Sequence, residues 1–485
     1  MSSLALPAAR PLTLRWPRAA AVLPGLLAAI AAAAACLHPS LDSDLGWHLR
    51  TGQLILATHQ VPRTDPFSHT RLGAPWVDNE WLWESGVAAL HALAGPLALI
   101  AANALLGSLA IGLIYLTLRR RAVPVLLSAA GSCLALINLV PYADVRPGMV
   151  GVLCSAAFVL ILDQHRRSGQ WRWLLALAPI EVLWANSHGS YVLGLVLCGI
   201  YAVASLWERR EWRRLQTWAA LCAGLLTVTL LNPIGFDLLK FTVGASRLTF
   251  NREFVQAWMA PNFHQPGSLP LLITLLLSLA LPLFRPASRL PKTEGLLLVV
   301  CTLATLQSQE FLPLYAVVAA PLVAQMLQSD SWMPASWQPS PLQTAALLLS
   351  GAVLMLVPLN TLAPDRYQQT IEKTFPARAV DYIEQHQLPG PMWNDFNWGG
   401  YLLTALPRLP VLVDSRTEMY GDEFLHEYMD AATGRLPAQQ ALDRYAVKLV
   451  LLEPRSTLAT ELRGSPVWQQ VYQDELAVVF TRSGN

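Results

Sequence analysis

Between residues 19 and 361 the chain is cut into long apolar blocks, each close to the length of a membrane-crossing helix. A hydrocarbon core about 30 Å thick needs roughly 20 apolar residues in helical form, because only a helix or a closed barrel satisfies the backbone inside lipid. The spacing predicts helices near 19–38, 97–118, 122–140, 147–162, 173–187, 190–207, 216–231, 269–284, 294–309, 311–328 and 342–361. That is about 11 crossings, with 81–94 too short and read as an interfacial or re-entrant helix. Charged residues make up only 14% of the chain, against about 25% in soluble domains. The first block follows Arg10, Arg15 and Arg18 but is long enough to span, so it reads as a retained helix rather than a signal peptide.

Charge placement orients the helices. With the N-terminus in the cytoplasm, the inner pieces carry 16 Lys and Arg, including Arg119 to Arg121, Arg166, Arg167, Arg209 and Arg210. The opposite loops 39–80, 141–146 and 232–268 carry 7. An odd number of crossings then puts everything after 361 outside. The expected organisation is a transmembrane domain over 1–361, with outer loops 39–96 and 232–268, followed by an extracytoplasmic domain over 362–485. This last segment alternates β-rich runs (410–413, 448–452, 476–481) with helical patterns (377–387, 422–432, 438–445), and reads as a small α/β domain.

Several classes of function are disfavoured. The net charge of +2 supports no nucleic-acid partner. No glycine-rich phosphate loop follows a strand, and the inner loops are too short for a nucleotide-binding domain. All six cysteines lie in the apolar blocks without metal-ligand spacing, so neither disulfides nor a Cys-based zinc site is expected.

Polar groups instead gather at the outer ends of the helices. The first outer loop begins Asp42-Ser-Asp44-Leu-Gly-Trp-His48-Leu-Arg50-Thr-Gly and later reads Asp78-Asn-Glu80-Trp. A helix starting near Asp44 puts His48 on the same face one turn on. Acidic pairs beside helix ends can hold a divalent cation or act as a general base. The plainer reading is a capping Asp44 and an interfacial belt of Trp47, Trp76, Trp81 and Trp83. Asp144 and Arg146 form either a local ion pair or, through Arg146, a phosphate contact. His188, in Trp184-Ala-Asn-Ser-His-Gly, is expected at the same depth as Asp44. Arg247, Arg252 and Glu253 in the long loop are phosphate and metal candidates, and Glu181 is an acid near mid-span. In the C-terminal segment, Asp395 and Asp414 each end a β-run, Trp398 and Tyr401 offer faces for sugar rings, and Arg416 follows Asp414 closely. Turn chemistry explains these equally well.

At these residues the chain resembles the GT-C superfamily of membrane glycosyltransferases. Asp42-Ser-Asp44 stands where that superfamily keeps an acidic motif in its first outer loop. The order from Asp44 through His48 and Arg50 to Asp65-Pro-Phe-Ser is similar to oligosaccharyltransferase catalytic subunits. Trp393-Asn-Asp395-Phe-Asn-Trp398-Gly-Gly-Tyr401 is loosely similar to their acceptor-recognition signature, with Asn394 in place of its second tryptophan. The chain also resembles a group of bacterial polytopic membrane proteins sharing the His-Leu-Arg-Thr-Gly and Trp-Gly-Gly-Tyr segments.

The resemblance implies transfer of a sugar from a polyprenyl-phosphate-linked donor to an envelope acceptor, at the periplasmic face of a bacterial inner membrane. Asp44 with Asp42 would be catalytic. His48, Arg50, Asp78, Glu80, Arg146, His188, Arg252, Asp395, Trp398, Tyr401, Asp414 and Arg416 would contact substrates. A Mg or Mn ion would rest on Asp44 and Glu253. The alternatives are a transporter or flippase of a lipid-linked intermediate, working through Glu181, and a non-catalytic envelope-binding membrane protein.

Overall fold

The protein, seen in a computed structural model that describes residues 19–209, 212–245, 247–284, 290–328 and 340–483, is a bundle of apolar helices carrying a small mixed sheet near its C-terminus. Of the expected inner cations, Arg10, Arg15, Arg18, Arg210, Arg285 and Arg289 lie outside the described residues. The chain begins with α1 (Ala19–Cys36), α2 (Asp44–Thr58), α3 (Trp81–Arg120), α4 (Val125–Leu139) and α5 (Gly148–Ser168). Every predicted crossing has a helical counterpart. Seven helices among the described residues are long and apolar enough to span a membrane, so the protein is multi-pass. The remaining predicted crossings are shorter: the apolar parts Val22–Cys36 of α1 and Leu215–Thr229, the nine-residue helix Leu177–Ala185, and Lys292–Gln307.

The expected break between 81–94 and 97–118 is a kink within α3. Ala94 leaves helical geometry and Gly95 takes φ +68°, a value only glycine adopts without strain. Pro96 then opens the second arm, where its missing N–H costs nothing. Small residues let the helices approach closely. A Cβ on Gly131 would lie 2.7 Å from Ala324, and one on Gly25 would strike the ring of Tyr115. At the end of the bundle reached by the C-terminus of α5, Asp163 is fully buried and accepts from Arg167 Nε at 2.8 Å, with Arg121 Nε at 3.4 Å.

The sheet has strand order β1-β2-β4-β3, from β1 (Met392–Asn394), β2 (Leu449–Leu452), β3 (Trp468–Gln473) and β4 (Val478–Arg482). β1 and β2 run parallel, and the other pairings are antiparallel. The expected runs 448–452 and 476–481 are β2 and β4, whereas 410–413 is not a strand. Its backbone bonds go elsewhere: buried Asn394 receives the N–H of Leu412 at 2.8 Å and donates to the carbonyl of Val413 at 2.8 Å. His69 N–H and Thr70 Oγ1, from the first loop, donate to the carbonyls of Val411 and Leu412.

Both long loops are therefore woven into the C-terminal part. Trp47, Trp76 and Phe67 share a core with Trp398, Leu402 and Val411, while Phe250 shares one with Trp393 and Phe424. α2 crosses the helix Gly399–Ala405 at two glycines. A Cβ on Gly46 would lie 2.1 Å from the carbonyl oxygen of Gly400, and one on Gly400 would lie 2.3 Å from that of Ser43. Only two bare backbones pass this closely.

Candidate active site

The crossing at Gly46 and Gly400 sets Asp44, the first residue of α2, against the segment 414–418. The Ser415 hydroxyl donates to Asp44 Oδ1 and accepts from Trp47 Nε1 at 3.1 Å. Asp42 folds back so that its Oδ1 accepts the Asp44 N–H at 3.0 Å, while Oδ2 lies 3.1 Å from Arg146 Nε. Asp144 and Arg146 thus form no local pair. Asp144 instead accepts the Leu41 N–H at 3.0 Å. Burial, then the neighbouring charge of Asp42, pushes the Asp44 carboxyl up to about 7, despite the opposing pull of Arg146 and Ser415. The carboxylates around Arg146, chiefly Asp42, hold its guanidinium fully charged.

One turn along α2, His48 is buried against Trp47 and the edge of Trp83. Its Nδ1 meets Glu84 Oε1 at 2.9 Å, and its Nε2 faces Glu80 Oε2 at 3.7 Å. The other oxygen of Glu80 faces His188 Nε2 at 3.9 Å. Asp78 is also buried, and its Oδ1 accepts the Glu80 N–H at 3.2 Å. Burial is the largest cause of every shift here. It holds His48 well below the usual imidazole range and takes His188 down to about 4, with Arg146 adding to both. It pushes Asp78 up to about 6 and Glu80 well above the usual carboxylate range, Asp78, Glu418 and Asp44 adding to the latter.

Six of the sequence-predicted residues (Asp42, Asp44, His48, Asp78, Glu80 and His188) therefore meet Arg146 in one cluster. Three further acids belong to it and were not singled out for this role. Glu84 hides in an apolar run, its only signal being its place one turn after Glu80. Glu310 and Glu418 come from distant segments: the charge of Glu418 acts on both Glu80 and Glu310, and that of Arg146 on Glu310 as well. The hydroxyl of Ser415 lacked any signal.

The other predicted contacts lie elsewhere. Arg50 is exposed on the opposite face of α2, where with Leu54, Phe67, Leu403 and Leu409 it lines a separate cavity of about 440 Å³. Arg252 and Glu253 lie on the helix Thr249–Phe254, which docks through Asp422, and Glu253 pairs with His426 at 3.3 Å. Asp395 caps the turn after β1, accepting the Asn397 N–H at 2.9 Å. Trp398 is buried in the core, and Tyr401 is half-buried with one face stacked on Phe375 at 4.6 Å. Asp414 and Arg416 are buried in an ion cluster: Arg416 donates to Asp414 at 2.9 and 2.6 Å and to Asp65 Oδ1 at 2.9 Å. Its guanidinium also lies 4.6 Å over the ring of Trp76. Packing thus satisfies Asp414 and Arg416 inside the core.

The expected cation between Asp44 and Glu253 has no built site, because these two carboxylates bind different partners. Among the described residues no three His, Cys, Asp or Glu side chains gather to hold a metal. Arg146 and Ser415 already occupy oxygens of Asp42 and Asp44. These residues do not fit a bound metal.

No family model matches the sequence, and no curated protein does. Solved structures do match. ArnT from Cupriavidus metallidurans bound to undecaprenyl phosphate is 14% identical, with a TM-score of 0.51 over 96% of this chain and 98% of that one. The archaeal oligosaccharyltransferase AglB from Archaeoglobus fulgidus, in complex with an inhibitory peptide and a dolichol-phosphate, is 11% identical, with a TM-score of 0.53 over 89% and 69%. The mycobacterial arabinofuranosyltransferase AftD is 14% identical, with a TM-score of 0.52 over 98% of this chain but 40% of that one. At such identities the match is one of fold, and the fold is that of the GT-C glycosyltransferases.

Proposed function

We propose that the chain transfers a sugar from a polyprenyl-phosphate-linked donor to an envelope acceptor, in the cluster around Asp44. The observation that carries this reading is Arg146. Its Nε is held by Asp42, while among the described residues Nη1 and Nη2 make no hydrogen bond. A guanidinium oriented from behind and open in front suits a phosphate oxygen pair. Polyprenyl phosphates bound in ArnT and AglB support the same ligand here.

In the reaction the acceptor oxygen bonds to the anomeric carbon and passes its proton to Asp44. The bond from that carbon to the phosphate oxygen breaks, and its electron pair leaves on phosphate beside Arg146. A carboxyl raised to about 7 is a competent base at neutral pH. A flippase would instead place its polar chemistry at mid-bundle. There buried Glu181 has no hydrogen-bond partner among the described residues, but it stands apart from the dense cluster at the sheet end.

Mass spectrometry of cells lacking the protein should show one envelope glycan lost and its polyprenyl-linked donor accumulating. Unchanged glycans and donors would remove the transferase reading. The same reading puts residues 362–485 in the periplasm. A reporter fused after Asn485 is then active only outside the cytoplasm, and one near Arg210 only inside. A cytoplasmic C-terminus would reverse the orientation.

A further inference from the structure

The hydrogen-bond partners around Glu80 fix where its neighbours carry their protons. Trp184 Nε1 donates to Ser190 Oγ at 3.0 Å, which leaves the Ser190 hydroxyl to donate to His188 Nδ1 at 2.6 Å. The backbone N–H of Ser190 also points at that nitrogen, 3.3 Å away. Nδ1 of His188 is therefore an acceptor, and the neutral ring carries its proton on Nε2, the atom facing Glu80.

The arrangement at His48 is the reverse. Glu84 Oε2 and Asp78 Oδ2 are buried without a hydrogen-bond partner among the described residues, which leaves His48 Nδ1, 2.9 Å from Glu84 Oε1, as the one side-chain partner of the Glu84 carboxyl. A carboxylate there accepts, so the His48 proton sits on Nδ1. A neutral His48 then presents a bare lone pair at Nε2, again facing Glu80.

We propose that Glu80 is the proton donor of this site, a carboxylic acid held neutral between His188, which offers it an N–H, and His48, which offers it a lone pair. An ionised Glu80 satisfies only one of these neighbours, whereas an acid with its proton on Oε2 satisfies both. The charged groups that face it agree: Asp78, Glu418, Asp44 and Glu84 disfavour a further negative charge, against the pull of Arg146. Separations of 3.7 and 3.9 Å leave room for the contacts to tighten around substrate.

The role rests on the transferase reading and completes its proton balance. As the sugar–phosphate bond breaks, the departing phosphate oxygen takes the Glu80 proton while Asp44 takes that of the acceptor hydroxyl. Proton return from Asp44 to Glu80, whose charges already act on each other, resets the site.

The substitution Glu80→Gln tests this closely. A glutamine can accept from His188 and donate to His48, as the neutral acid does, but it cannot give up a proton. In the full-length protein without substrate, infrared difference spectra of wild type against Glu80→Gln at neutral pH should show a carboxylic-acid C=O band that the variant lacks. Transfer should fall about 10²–10⁴-fold with unchanged melting temperature. The wild-type loss of rate at high pH, where a general acid has ionised, should be absent in the variant. A carboxylate band for Glu80, or wild-type transfer in Glu80→Gln, would overturn the proposal. If wild type transfers nothing yet shows the acid band, the transferase reading fails and the donor role falls with it, while the neutral acid stands.

Discussion

Asp44→Asn lowers transfer by about 10²–10⁴-fold while leaving the folded protein in place, as measured by initial rates beside thermal unfolding in detergent. The structure says why the two readouts separate. Asparagine keeps the oxygen that accepts the Ser415 hydroxyl, and it suits a helix start nearly as well as aspartate. What it loses is basicity. The wild-type rate should fall as pH drops through about 7, where Asp44 takes up its proton and can no longer accept one from substrate. The variant should show no such limb. Stability moves the other way: a carboxyl whose folded pKa is raised loses stability as pH climbs from its unfolded value towards 7. Asp44→Asn should therefore be at least as stable as wild type at pH 8. Wild-type transfer by Asp44→Asn would move the base to another carboxylate.

Arg416→Ala has the largest expected effect on stability, about 3–5 kcal/mol. Its partners Asp414 and Asp65 are 0% and 1% exposed, and removing the guanidinium strands two carboxylates against each other in the core. That loss is a large share of the roughly 5–15 kcal/mol that holds a typical domain together. Arg416→Lys should rescue only part of it, since one ammonium cannot reproduce the fork to Asp414 together with the bond to Asp65. Calorimetry should show a lowered melting temperature for both variants, larger for alanine. An unchanged melting temperature with a raised KM would return Arg416 to the substrate contacts.

The helices were legible because lipid imposes one length and one polarity, and that regularity also carried part of the site. Asp44, Glu80 and His188 each stand at a helix end, so hydropathy alone fixes their common depth, and at one depth in one bundle they meet. Partners across long chain separations left no such mark. Asp65 lies 351 residues from Arg416, and nothing local distinguishes a guanidinium waiting for phosphate from one already matched. Trp398 and Tyr401 looked like sugar platforms because an aromatic beside glycines reads as exposed, yet Gly399 and Gly400 are there for backbone contact. Glu84 went unnoticed inside an apolar run whose periodicity says only that the face is buried. The segment 410–413 had the composition of a strand, but Asn394 and the first loop took its hydrogen bonds.

The bond from Ser415 to Asp44 has a consequence for biogenesis. Asp44 belongs to the stretch that follows α1, and its partner belongs to the last fifth of the chain. A ribosome inserting this protein delivers the acidic loop early, and hundreds of residues must follow before residues 414–418 can settle over it. Until then Asp44 has neither its hydroxyl partner nor the burial that raises its affinity for protons. The cluster around Asp44 thus stays incomplete through most of synthesis, and closes only when these two distant stretches have found each other.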